Sequence, residues 1–301
     1  MKITKFITAV LILCLIANLN AQNTATEDEG VIINGVKWAT RNLDIGSTFV
    51  ANPEDHGALF QWGRGADGHE NRNSATTTML STNDTPGHCC FILVPGGNWD
   101  WRSSLNNALW NAGTTTAPVK ATNDPCPNGW RVPTRTELNA LNSAGSVWTN
   151  QNGVSGRRFG SGDNTLFLPA SGHRSTINEE VLNVGTRGSY WCSTVNGTNV
   201  HSLTFLDTTV YPTYYYGRAT AISVRCVEAP FTSNLSGVEN SFQDCICCAE
   251  ALPSNLSETE ITKEKKPIAF YNTMGIKLKN APESGIYIIM YDNGTAEKVV
   301  K

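Results

Sequence analysis

The chain has 301 residues, 16% of them charged, and its 23 Lys and Arg stand against 26 Asp and Glu for a formal net charge of −3. That balance offers no basic patch for nucleic acid, and a low charge density with frequent Asn, Thr, Gly and Trp argues for an extracellular β-rich or loop-rich domain over a helical one. The length can hold one sizeable core plus a small appendage.

Lys2 and Lys5 precede the apolar run from Phe6 to Ala17, and Ala21 supplies a small residue for cleavage, which is the layout of a secretory signal peptide over residues 1–21. The run is too short, and is followed too soon by Asn18 and Asn20, for a transmembrane span. The bulky Leu13 before Cys14 also fits a lipid anchor poorly. Eight of the nine cysteines remain after such a cleavage, and export places them where disulfides persist. Spacing does not determine their pairing. Cys126 with Cys226 is the first choice; Cys89, Cys90, Cys192, Cys245, Cys247 and Cys248 stay open.

After a leader at 22–30, two short apolar runs between Val31 and Trp38 surround Asn34-Gly35, a dipeptide suited to a tight hairpin turn. Asn52, Pro53, Glu54 and Asp55 carry helix-start chemistry and predict a short helix through Trp62 that ends before Gly63. From residue 65 to about 122 the chain reads as a long irregular loop pinned by Trp99, Trp101 and Trp110. Thr134 and Glu137 then have the spacing of a capping box, in which hydroxyl and carboxylate each satisfy a backbone N–H at a helix start, with Leu138 and Leu141 as the buried edge. Short strands follow at Leu166 to Pro169, Gly188 to Ser193, Val200 to Leu206 and Ala221 to Glu228, and together they predict one antiparallel sheet in an α+β domain. Residues 230–266 form a linker that carries Cys245, Cys247 and Cys248, and 267–301 alternate around Gly turns as a small stack of hairpins.

Six ordered segments carry a family resemblance: Asn34 to Leu43, Gln61 to Gly63, Pro125 to Thr134 with Glu137 and Leu138, Leu166 to Gly172, Gly188 to Trp191, and Ser223 to Cys226. On them, residues 31–229 resemble the Fibrobacter succinogenes major paralogous domain. The resemblance implies a C-type lectin-like fold of the α+β class, with an antiparallel sheet, two short helices, paired terminal strands and a long emergent loop. It also implies that a Cys126–Cys226 bond braces the core. Cys192 departs from it, since the family more often shows Ser there, as do Cys89 and Cys90. Tyr271, Asn272 and Gly275, then Gly285 to Ile288 and Lys298 to Lys301, resemble the C-terminal sorting signal of the type IX secretion system. That resemblance implies a Bacteroidetes-type producer, export across the outer membrane with the secretion machinery as partner, and a destination in the medium or on the outer cell surface.

Chemistry is sparser. Pro169 to His173 contains Ser171 but lacks the Gly-x-Ser-x-Gly elbow of a hydrolase. His88, Cys89 and Cys90, like the Cys245 to Cys248 run, lack the paired spacing of a zinc site. Gly97 to Asp100 lacks the triplet of calcium-dependent sugar binding, and Cys192 lacks the second thiol that formylglycine-generating chemistry would use. No catalytic residue, cofactor or metal is therefore assigned. The remaining candidate is a binding face of Tyr211, Tyr214, Tyr215, Tyr216 and Arg218, joined by Arg174 and His201, because Tyr and Arg combine large rigid area with a polar tip. The opposing reading is that alternate tyrosines pack inward along a strand. Trp38, Trp62, Trp130 and Trp191 are assigned to the core. The expectation is a non-enzymatic recognition or adhesion module for a glycan or an extracellular protein, presented on loops; the alternatives are an extracellular enzyme on the same scaffold or a subunit of a surface fibre.

Overall fold

The computed structural model describes residues 27–97 and 99–230, together with the strand backbones at 267–272, 277–278, 286–291 and 296–300. The chain divides into two compact units, Met1–Ala249 and Glu250–Lys301.

The first unit opens with β1 (Val31–Ile33) and β2 (Val36–Trp38), paired antiparallel with Ile33 opposite Val36. Between them Asn34 and Gly35 adopt φ of 48° and 81°, the left-handed pair that the tightest hairpin turn requires. β3 (Leu43–Asp44) and β4 (Thr48–Phe49) form a second small ladder. The helix expected between Asn52 and Trp62 does not form. The Asp55 carboxylate accepts the Asn52 N–H at 2.8 Å and the Asp55 N–H donates to the Asn52 carbonyl at 3.1 Å, local bonds that compete with a helix. Gly57, at φ 67°, then turns the chain so that Ala58 N–H reaches the Leu43 carbonyl. Leu59, Phe60, Gln61 and Trp62 are all buried, which suits a strand covered on both faces, and Phe60–Gln61 is β5.

The next stretch is the expected irregular loop. Its regular parts are β6 (Thr76–Thr77) and β7 (Phe91–Ile92), which pair in parallel. Trp101 and Trp110 are buried, and their indole N–H groups donate to the carbonyls of Trp62 and Arg64 at 2.7 and 3.0 Å. β8 (Trp130–Arg131) leads into α1 (Arg135–Ser143). The capping box is present: Glu137 N–H donates to Thr134 Oγ1 at 3.3 Å, and Thr134 N–H donates to Glu137 Oε2 at 2.7 Å. Leu138 and Leu141 form its buried edge.

Beyond the helix come β9 (Ser146–Gln151), β10 (Val154–Ser161) and β11 (Asn164–Pro169), an antiparallel meander of which the sequence reading found only the last strand. β12 (His173–Arg174) and β13 (Val181–Leu182) follow, then a second meander of β14 (Gly188–Asn196), β15 (Asn199–Phe205) and β16 (Val210–Gly217). β17 (Ala221–Ile222) and β18 (Val227–Glu228) close the unit.

The strands do not form one sheet. Separate small sheets run β1-β2-β18-β8, β13-β12-β17-β5, β11-β10-β9 and β14-β15-β16. This corrects the expected α+β, C-type lectin-like architecture. Among the described residues the fold is β-rich, with one α-helix instead of two and several short, mostly antiparallel sheets. The physical reason is that β5 and β17 pair across 160 residues of sequence, with Ala221 opposite Gln61, which takes the end of the first expected helix into a ladder.

Two hydrophobic clusters meet at β14. Trp191 packs with Trp62, Trp101, Trp110 and Val224, whereas its neighbours Tyr190 and Cys192 pack with Leu138, Leu141, Phe159 and Phe205 beneath the helix. The two-residue period of a strand sends alternate side chains to each cluster. Trp38, Trp62, Trp130 and Trp191 are all buried, as assigned. Cys126 and Cys226, also buried, are joined by a disulfide with Cα atoms 6.1 Å apart across 100 residues of sequence.

In the second unit β19 (Pro267–Asn272), β20 (Lys277–Leu278), β21 (Ile286–Tyr291) and β22 (Ala296–Val300) form one antiparallel sheet in the order β20-β19-β21-β22. Among the described residues no helix is long and apolar enough to cross a membrane.

Candidate binding face

β16 is an outer strand of its meander. Along it Tyr211, Tyr214 and Tyr215 are exposed by 43, 40 and 56%, so the inward-packing reading fails for these three. The ladder pairs Tyr214 with Ser202 and Tyr216 with Val200, and a register shift then sets Tyr211 opposite Thr204. That shift brings Tyr211, Tyr214 and Tyr216 to one face although Tyr211 and Tyr214 are three residues apart. Their rings form a row, with centroids 6.0 Å apart from Tyr211 to Tyr214 and 5.0 Å from Tyr214 to Tyr216. Tyr215 pairs with His201 on the opposite face.

The floor under the row is polar and closed. Ser189, Ser202 and Thr204 are buried; Thr204 Oγ1 donates to Ser189 Oγ at 3.2 Å, and Ser189 Oγ lies 3.0 Å from Tyr216 Oη. Trp191 meets the Tyr216 ring edge-on at 6.0 Å, so Tyr216 is anchored while its neighbours stay free. Pro212 removes an N–H donor from this outer strand, which blunts pairing with another strand and leaves recognition to side chains.

The other expected members of the face are placed differently. Arg218 is buried, with its guanidinium 4.7 Å from the Trp62 ring; it donates to the Asn106 carbonyl at 2.8 Å and to Asn107 Oδ1 at 2.6 Å. Arg174 is buried over Phe91 at 4.3 Å and donates to the Ser74 carbonyl at 2.7 Å. Both brace loops and neither is open to a ligand. His201 is half-buried behind Tyr215, where burial first and then Arg135 hold its pKa below the usual histidine value.

Three chemical alternatives close on inspection of their hydrogen bonds. Asp67, His69 and Glu70 lie close enough together to suggest a metal. His69 Nδ1, however, sits 2.6 Å from Asp67 Oδ1, and His69 Nε2 accepts the Gln61 N–H at 3.0 Å, so neither ring nitrogen keeps a lone pair for an ion. Arg64 already occupies Asp67 Oδ2 at 2.8 Å, and Glu70 accepts the N–H groups of Gly46 and Gly68. The cluster ties a loop together. Ser171 Oγ donates to the His56 and Pro169 carbonyls, which leaves no nucleophile–base pair. Burial pushes the Cys192 thiol up to about 12, and its S–H donates to the His201 carbonyl at 3.1 Å, the opposite of an activated cysteine. Cys90 is disulfide-bonded, and Cys245, Cys247 and Cys248 lie outside the described residues.

Comparison with protein-family models, curated proteins and solved structures returned no match for this chain.

Sequence reasoning missed Trp99 as part of the face. Its side chain is 45% exposed, and its backbone holds a φ of 59°, a left-handed conformation that costs a bulky residue roughly 1–3 kcal/mol. The Ala219 N–H donates to the Trp99 carbonyl at 2.9 Å, and a Cβ on Gly217 would fall 2.5 Å from Trp99 Cβ. A glycine at the end of β16 thus makes room for this tryptophan. No sequence signal announces that strain.

Proposed function

We propose that this chain is an exported, non-enzymatic recognition module that binds a glycan or an extracellular protein through β16 and Trp99. The observation that carries the reading is the row of Tyr211, Tyr214 and Tyr216 on an outer strand over a closed hydroxyl floor, the first two exposed and the third anchored, with an exposed tryptophan beside the end of that strand. Rigid aromatic rings with polar tips stack on sugar faces and anchor protein interfaces at low entropic cost. The face lies on a strand edge, not on the loops expected from sequence. The resemblance of residues 31–229 to the Fibrobacter succinogenes major paralogous domain, and of 267–301 to a type IX sorting signal, supports a destination outside the cell. A buried disulfide is in keeping with an oxidising compartment.

The test is a glycan and extracellular-protein array probed with the full chain and with a Tyr211→Ala, Tyr214→Ala variant, leaving the anchored Tyr216 in place. Binding should fall at least tenfold with an unchanged circular dichroism spectrum. Equal signal from a folded variant refutes the face.

A further inference from the structure

We propose that β9 is a docking edge for a second copy of this chain, paired antiparallel with its own counterpart across a two-fold axis at Trp148. β9 is the outer strand of the meander β11-β10-β9. The two-residue turn at Asn152 and Gly153 makes Gln151 and Val154 a hydrogen-bonded pair. The alternation of an antiparallel ladder then points the N–H and C=O groups of Val147, Thr149 and Gln151 toward β10 and those of Ser146, Trp148 and Asn150 outward. Neighbouring bonds keep that phase: Gly160 N–H donates to the Gly145 carbonyl, and Ala170 N–H, on the far side of β10, donates to the carbonyl of Ser155, which stands opposite Asn150. Among the described residues no other backbone segment bonds the outward groups. The other edges are guarded or short. β16 carries Pro212 and a register shift, and β13 has two residues, whereas the six residues of β9 hold no proline, no charge and no bulge.

The order of residues along the strand selects the occupant. In a two-fold pairing at Trp148, Ser146 faces Asn150 of the second copy, Val147 faces Thr149, and Trp148 faces its own equivalent. Polar meets polar, β-branched meets β-branched and aromatic meets aromatic, the cross-strand pairs that stabilise a ladder. Trp148 is half-buried, and its ring meets Phe205 edge-on at 6.3 Å from the inside, which holds it in place for a twin ring to cover the remainder. Val147 beside it is 59% exposed. Charge favours the same orientation. Glu54 marks one end of the strand, accepting from Gln151 Nε2 and Asn152 Nδ2 at 3.1 and 2.6 Å, and Arg157 marks the other, donating to Ser146 Oγ at 2.9 Å. Antiparallel pairing sets the acidic end of each copy beside the basic end of the other, whereas a parallel copy would set like beside like. The two three-stranded meanders then run on as one sheet. A strand pair of this length buries less surface than an obligate dimer, so the association is weak and depends on concentration.

Sedimentation equilibrium of the full chain from about 1 μM to about 500 μM tests this. The parent should show a reversible monomer–dimer equilibrium. Val147→Lys with Thr149→Lys sets lysine opposite lysine at both symmetry-related sites and should weaken dimerisation roughly tenfold. Val147→Lys with Thr149→Glu sets opposite charges at the same sites and should bring it back to within about threefold of the parent. Hydrogen exchange of the parent gives a readout that needs no variant: the amides of Ser146, Trp148 and Asn150 should exchange roughly tenfold more slowly at the upper concentration, while those of Val147 and Thr149, already bonded to β10, stay the same. The pairing is overturned by a parent that remains monomeric throughout, by a Lys–Lys variant that dimerises like the parent, by a folded Lys–Glu variant as weak as the Lys–Lys one, or by outward amides indifferent to concentration.

Discussion

Replacing both Cys126 and Cys226 by Ala removes a cross-link that spans 100 residues and joins the segment before β8 to the segment before β18. In the chain-entropy account, opening a loop of that length frees the unfolded ensemble by about 4.7 kcal/mol. Both cysteines are buried in the Trp62–Trp191 cluster, so loss of their sulfur contacts adds to the effect and does not offset it. For a unit of roughly 200 residues each kcal/mol shifts the midpoint by about 2–4 °C, so the double variant should melt roughly 10–15 °C below the parent chain. Scanning calorimetry of the oxidised parent, the parent with reductant and the double variant measures it. A variant midpoint within about 3 °C of the oxidised parent would mean that the noncovalent contacts of β18 already hold the closure, and the bracing argument would fail.

Two further outcomes follow from other parts of the chain. Burial raises the Glu137 carboxyl, but its bonds to Arg131 and Thr134 outweigh that and hold it below the usual value, so its contribution is complete above the unfolded pKa of about 4.3 and is lost as pH falls through the depressed folded value. The stability gap between parent and Glu137→Gln, measured by urea unfolding, should be about 1–2 kcal/mol at pH 7 and shrink below pH 4; a gap constant to pH 2.5 contradicts this. Deleting residues 267–301 should retain the protein in the periplasm when it is expressed in a bacterium with type IX secretion, and fractionation that finds normal surface delivery rejects the sorting signal.

Features legible in the sequence were those whose chemistry is local. Asn34-Gly35 and the pair Thr134 and Glu137 act within four residues, and both formed as read. The Cys126–Cys226 bond was a first choice among open pairings and is present. The sheet arrangement was not legible, because β5 and β18 take partners far away in sequence and a two-residue strand leaves almost no periodic trace. The β9–β10 hairpin was more accessible: Asn152-Gly153 repeats the dipeptide of the first turn, with φ of 48° and 88°. At the candidate face the tyrosine run was visible as composition, yet Arg174 and Arg218 look in sequence like any exposed arginine. Only the fold shows that both are buried and grip backbone carbonyls.

The position of Cys226 immediately before β18 has a mechanical consequence. A pull on the C-terminal end of β18 breaks the Ala229–Gly129 bond and peels β18 from β2 and β8, freeing Ala229, Glu228 and Val227 before it reaches the disulfide. There the load divides between the chain leading back to β17 and both arms of the chain at Cys126. Unzipping from that end is arrested within a few residues, so the tyrosine strand can keep its shape while the molecule is under tension.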